Sequence, residues 1–245
     1  MKMLLLLLVL VATVGSVLGP APGRGPIVVE LFTSEGCSNW PAVDAVLHEL
    51  TRVQSVAGVE VIALGEYVDY WNRLGWKDGF SASVYAARQR QYATGFGSGS
   101  YTSQAVVSGR YELVGSRGAE PAAIVAKAAQ APRVVVAVAT AGSTAQVRVS
   151  SVPAGAAAVE ALLVITESGL ASQIERGENS GLLLHRAAVV RKLVSLGRVG
   201  ADGILAANPT FKLPVDWKRP NLRVVMMVQE IVSWHVVGAG TAPVE

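Results

Sequence analysis

Apolar runs broken by polar turns give the first outline of the chain. "IVVELF" (Ile27 to Phe32) and "VEVIAL" (Val59 to Leu64) are apolar and β-branched almost throughout, the pattern of strands covered on both faces. Between them Val43, Val46, Leu47, Leu50 and Val53 recur at helical spacing, and Pro41 suits a first helical turn, where no internal N–H bond is needed. A strand, helix, strand order implies a parallel pair. A second helix is predicted over Ala82 to Tyr92, a hairpin turning at Ser108-Gly109 within "AVVSGRYELV", and a third helix in "EPAAIVAKAAQ". This half reads β-α-β-α-β-β-α.

From Pro132 the pattern alternates instead. "RVVVAVAT" and "AQVRVSS" flank the turn "AGST", "VEALLVITE" is a further strand, and "LRVVMMVQEIVSWHVVG" predicts another hairpin. A long polar stretch, Ser168 to Gly181, separates these runs, and no helix of comparable strength interrupts them. The expectation is a β-rich, sandwich-like second unit over 132–245, after an α/β unit over 20–131.

The opening "MKMLLLLLVLVATVGSVLG" stands apart from both. Lys2, the apolar run Leu4 to Val14, and small residues at Val17 and Gly19 make a secretory signal over 1–19, with cleavage after Gly19. The run is shorter than the roughly 20 residues a membrane span needs. The mature chain is therefore expected to be secreted or periplasmic, with no stable membrane span after cleavage.

Composition narrows the function classes. Half of the residues are apolar and 16% are charged, so a sizeable core is expected and disorder is not. A net charge of +3 with no dense Lys/Arg block gives no electrostatic footprint for nucleic acid. His48, His185 and His235 lack metal-ligand spacing, and one cysteine builds neither a cluster nor a zinc site, so no metal or cofactor is expected. "GFGSGS" follows no strand and lacks dinucleotide spacing. Cys37, the only cysteine, excludes an intramolecular disulfide.

Cys37 stands in "FTSEGCSNWP", between the first strand and the first predicted helix. The strings "VELFTSEGCS", "VDYWNRLGWKD", "YTSQAVVSGR" and "RGENSG" followed by "VVR" run in this order from Val29 to Arg191. Together they resemble a family of secreted thioredoxin-like proteins, the domain-of-unknown-function 1223 family. The resemblance implies an α/β thioredoxin-like domain followed by a β-rich domain. It also places Cys37, Ser38, Trp40, Pro41, Thr102 and Ser103 in one site. The chain departs from the family pattern at three points. Cys37-Ser38-Asn39-Trp40-Pro41 replaces Cys-Ser-Ser-Cys-Pro, Thr102-Ser103-Gln104 replaces Thr-Pro-Gln, and Arg186 holds a place often given to histidine, with His185 one residue early.

These residues define the candidate chemistry. A thiol at a helix start meets unpaired N–H groups and the positive end of the helix dipole, which favour thiolate. Glu35 opposes this. Trp40 removes the resolving thiol, because an indole offers only an N–H donor. Ser103 predicts a trans bond after Thr102, since a cis bond before a non-proline residue costs about 2.5–4 kcal/mol. Asp69, Tyr70, Trp71 and Trp76 lie in a connector holding part of the seven aromatics that fall between Tyr67 and Tyr92. They form either a small core or a ligand wall beside Cys37. Arg176, Glu178 and Asn179 either hold their own loop or reach the first unit's site. Two functions follow. One is a degenerate monothiol redox protein cycling with low-molecular-weight thiols. The other is a non-catalytic binding or assembly protein with a protein partner.

Overall fold

The computed structural model describes residues 25–38, 56–114, 120–153 and 155–245. The predicted signal 1–19, the helix around Val43 to Val53, and Trp40 and Pro41 lie outside the described residues.

Strands β1 (Ile27–Thr33) and β2 (Val61–Tyr67) pair in parallel, with Glu30 opposite Leu64 and Phe32 opposite Glu66. Every residue of both strands is buried, as their continuous apolar runs require. Strands β3 (Gln104–Val107) and β4 (Tyr111–Val114) form a hairpin on the other edge of β1. Its turn places Ser108 and Gly109 at positive φ, 50° and 65°. Gly109 is required there, because a Cβ would stand 2.1 Å from the carbonyl oxygen of Trp234. Helix α1 (Ser83–Phe96) buries Tyr85, Ala86, Arg88, Gln89, Tyr92 and Ala93, one face at helical spacing, and ends at left-handed Gly97. Helix α2 (Glu120–Ala128) covers the opposite face of β1 with Val125 and Ala128.

The second half adds β5 (Val135–Ala141), β6 (Thr144–Ser150), β7 (Val159–Glu167), β8 (Leu170–Gln173), β9 (Leu183–Arg186), β10 (Val189–Arg198), β11 (Leu205–Ala207), β12 (Leu222–Glu230) and β13 (Val236–Pro243). Strands β8 and β9 pair only with each other, while β11, β6 and β5 form a three-stranded sheet. That sheet packs Val136, Val147 and Val149 against Leu163, Ile165, Val224 and Met226 of β7 and β12. Gly238 and Gly240 let β5 approach β13, since a Cβ at either would stand 2.6 Å from a β5-side carbonyl oxygen, of Val134 and Val136 respectively.

The expected α/β thioredoxin-like domain followed by a β-rich domain is not what forms. The protein is mostly β, with thirteen strands and two α-helices among the described residues. One mixed eight-stranded sheet, ordered β13-β12-β7-β10-β2-β1-β3-β4, takes strands from both halves. The join is a parallel contact of Val189 in β10 with Gly65 in β2, extended by Gly65 N–H to Ala188 O at 2.8 Å. Periodicity reports which faces a strand buries, not which distant strand takes up its edge hydrogen bonds. The shared sheet was therefore invisible to a reading made one segment at a time.

Candidate functional site

The site is built on the loop that follows β1. Cys37 N–H donates to Ser34 O at 3.1 Å, which closes a turn, and Gly36 N–H donates to Ser34 Oγ at 3.2 Å. Ser34, Glu35 and Cys37 are buried in this turn.

Three other segments grip it. From the connector after β2, Asp78 accepts the Glu35 N–H through Oδ2 and the Phe80 N–H through Oδ1, each at 2.9 Å. Asn72 Oδ1 accepts the Asp78 N–H at 3.0 Å and so fixes Asp78 in turn. Trp76 Nε1 donates to Glu35 Oε2 at 2.6 Å. From the segment around β9, Arg186 forms an ion pair with Glu35 Oε1, with side-chain exposures of 0% and 1%. Asn179 Nδ2 donates to the carbonyl oxygens of Glu35 and Cys37, at 2.7 and 2.8 Å. Ser38 N–H donates to Glu178 Oε2 at 2.9 Å, and the hydrogen bonds from Ser38 hold that carboxylate below its usual range. From the third side, Thr102 O lies 3.9 Å from Cys37 Sγ, and Ser103 Oγ is 2.8 Å from Thr33 Oγ1. The Thr102–Ser103 bond is cis, against the expectation drawn from the serine.

The residues predicted from sequence therefore divide. Cys37, Ser38, Thr102 and Ser103 come together. Trp76 joins them through Glu35, and Trp71 packs over Gly36, where an added Cβ would stand 3.7 Å from its ring. Tyr70 is half-buried and donates its hydroxyl to Gln89 Oε1 at 3.0 Å; burial raises its pKa, and the nearby Cys37 adds to the rise. Asp69 is half-buried, and its carbonyl accepts the Asn72 N–H at 3.1 Å in the same connector. Glu178 and Asn179 reach across to the loop rather than holding only their own turn. Sequence reasoning gave Glu35 only an electrostatic part and Arg186 only a place in the chain. Both are the centre of the site. The signal for them was the charge of Glu35 beside an apolar strand and the Arg-for-His exchange at 186. Among the described residues no three His, Cys, Asp or Glu side chains are grouped to hold a metal ion.

Two buried carboxyls, Glu35 and Asp78, share one nearby guanidinium, Arg186. Asp78 is pushed up to about 6, chiefly by burial and next by Glu35, against the two backbone hydrogen bonds and Arg186. A carboxyl whose folded value exceeds its usual 3.8 contributes stability that is fully present below the usual value. That stability is lost as pH rises through about 6. A shift of about two units corresponds to about 3 kcal/mol. Asp78→Asn removes the titration. Between about pH 4 and pH 7.5, the stability advantage of wild type over this variant is expected to shrink by about 2.5 kcal/mol in urea unfolding. A gap that stays constant over that range would contradict the assignment.

The model of the family described as "Protein of unknown function (DUF1223)" matches residues 28–229, and the chain belongs to that family. The match spans β1 to β12 and takes in all three segments that grip the loop. The crystal structure of protein AGR_C_4864 from Agrobacterium tumefaciens is similar over 92% of this chain and 97% of its own, at 23% identity and a TM-score of 0.70. That likeness extends to the fold. Bacteroides uniformis beta-glucuronidase 2 aligns over 46% of this chain and 13% of its own, at 12% identity and a TM-score of 0.25, too low for a shared fold. No curated protein matches the sequence.

Proposed function

We propose that this is an exported, non-catalytic binding protein in which Cys37 is a packed structural thiol, and that the rim around the loop at 35–38 is its recognition surface for a protein partner. Export rests on the signal pattern of residues 1–19. The observation that carries the rest is the state of Cys37. It is 3% exposed, and its Sγ lies 3.9 Å from the Thr102 carbonyl oxygen, which it meets as a donor. Its own carbonyl is held by Asn179 and its N–H by Ser34, so the backbone that carries the sulfur is fixed. The adjoining connector and the loop before β9 touch where Trp76 lies against Gly177, and together with the first residue of β9 they expose Leu74, Leu182 and Leu183. Exposed apolar side chains on a polar-locked frame suit protein contact.

A second reading is a monothiol redox site resolved by low-molecular-weight thiols. It is favoured by the meeting of Cys37 with Thr102 and Ser103, the two segments the family resemblance joins in one site. One measurement separates the two. In folded protein at pH 7.5, iodoacetamide is expected to alkylate Cys37 at least about tenfold more slowly than in the urea-unfolded chain, because reaction waits on local opening. A folded rate equal to or above the unfolded rate would establish the monothiol site instead.

A further inference from the structure

A second site lies away from the loop at 35–38, where the β3–β4 turn, the segment leading into β5 and the β12–β13 turn meet. Arg133 is 8% exposed, yet the groups that accept from it are all neutral: Val236 O at 3.0 Å, Ser108 Oγ at 3.1 Å and Ala128 O at 3.0 Å. Its Nε has no hydrogen-bond partner among the described residues. Arg110, half-buried, stands close enough to help push Arg133 down to about 10, after burial itself. Neither guanidinium is within ion-pair distance of a carboxylate among the described residues.

Both arginines line one cavity of about 180 Å³. Its other walls are largely apolar, with Val152, Val159 and Val237 among them. Glu230 also lines it, with Ser233 Oγ and His235 Nδ1 (3.3 Å) both on its Oε2, so a single carboxylate stands against two guanidiniums. Burying a cation without a counter-charge is costly, and two adjacent cations compound the cost. An anion in the cavity would relieve it.

We propose that this cavity binds a short branched aliphatic monocarboxylate. Its carboxylate is taken by the forked N–H groups of Arg110, beside the positive charge of Arg133, and its tail packs on the valines. Size and lining select this class. The volume falls below the roughly 300–1,000 Å³ of sites for drug-sized ligands. Apolar walls suit a ligand that is charged at one end only, which disfavours inorganic oxyanions that need donors on all sides.

The probe is isovalerate, titrated into the purified protein by calorimetry and ligand-observed NMR, with isovaleramide and inorganic sulfate as comparisons. Saturable one-site binding of isovalerate is expected, with none by the amide. Arg110→Gln should weaken it at least about tenfold, the usual cost of losing a charge-assisted contact. Arg133→Gln cuts three tethers to the fold and can unfold the protein, so Arg110→Gln, checked by circular dichroism, carries the test. No saturation up to about 10 mM, a range that covers weak small-ligand affinities, would overturn the proposal. So would undiminished binding by folded Arg110→Gln, or equal binding by the amide. Sulfate binding as tightly as isovalerate would overturn the assignment to carboxylates.

Discussion

Arg186→Met is expected to destabilise the protein by about 3–5 kcal/mol, the usual cost of stranding one member of a buried ion pair. Arg186 and Glu35 are the least exposed charges of the site, at 0% and 1% of their side chains. Met fills similar space but leaves the Glu35 carboxylate with Trp76 Nε1 as its remaining side-chain donor among the bonds described above. At about 2–4 °C per kcal/mol for a chain of this size, the melting point should fall by roughly 6–20 °C. Glu35→Gln combined with Arg186→Met should recover most of the loss, because the amide oxygen still accepts from Trp76 while the stranded charge is gone. Arg186→Lys should recover less, since an ammonium cannot reproduce the guanidinium fork. Loosening the loop should also speed alkylation of Cys37 in the single variant, tying stability to the site itself. A loss below about 1 kcal/mol in Arg186→Met would place the pair among weak surface bridges and remove it from the centre of the site.

That pair also shows what the sequence could and could not reveal. Strand β7 was legible to the residue, because "VEALLVITE" is packed on both faces and reads as one unbroken run. Helix α1 and the hairpin at Ser108-Gly109 were legible because helical spacing and turn chemistry are local properties. Strand β2 was placed two residues early and ended three short. Gly65 and Glu66 look like strand ends, yet Gly65 bonds Ala188 across the sheet and Glu66 is fully buried. Ser168 to Gly181 read as polar loop because its one strand, β8, alternates half-buried and exposed residues over only four positions and buries none of them fully. At the site, each string was visible separately. Their convergence on Glu35 was not, since the partners Asp78, Asn179 and Arg186 lie 43, 144 and 151 residues away along the chain. Nothing periodic encodes a contact at that separation.

Hidden more deeply still was a second buried cluster, and the other large effect is expected there. Glu30 interrupts the apolar run of β1, and that lone charge was the available signal. Arg88 of α1 pairs its Nε with Glu30 and stands 3.7 Å from Glu66, with side-chain exposures of 5% for Arg88 and 0% for both acids. Arg88 also donates to Gln229 Oε1 at 3.0 Å and to Tyr92 Oη at 2.9 Å, and the Tyr92 hydroxyl donates to Glu30 Oε2 at 2.6 Å. One guanidinium thus fastens β1, β2 and α1 to β12, the halves of the shared sheet. Burial first, and Glu30 second, raise Glu66 well above its usual value, while Arg88 opposes the rise. Burial thus opposes the charged form of Glu66, while the Arg88 guanidinium faces the negative charge of Glu30. Arg88→Met leaves that negative charge buried alone and is expected to cost about 3–5 kcal/mol at pH 8. The pH dependence has a definite sign. Without Arg88 to oppose the rise, the folded Glu66 carboxyl holds its proton more tightly than the unfolded one, whose value is about 4.3. Its stability contribution is then fully present below that value and lost as pH rises through the folded one. The deficit of the variant against wild type should therefore be smaller at pH 5 than at pH 8 in urea unfolding. Glu30→Gln added to Arg88→Met should recover stability at pH 8 and remove most of this pH dependence. An equal deficit at both pH values would mean that lost packing, rather than the stranded charge, accounts for the cost.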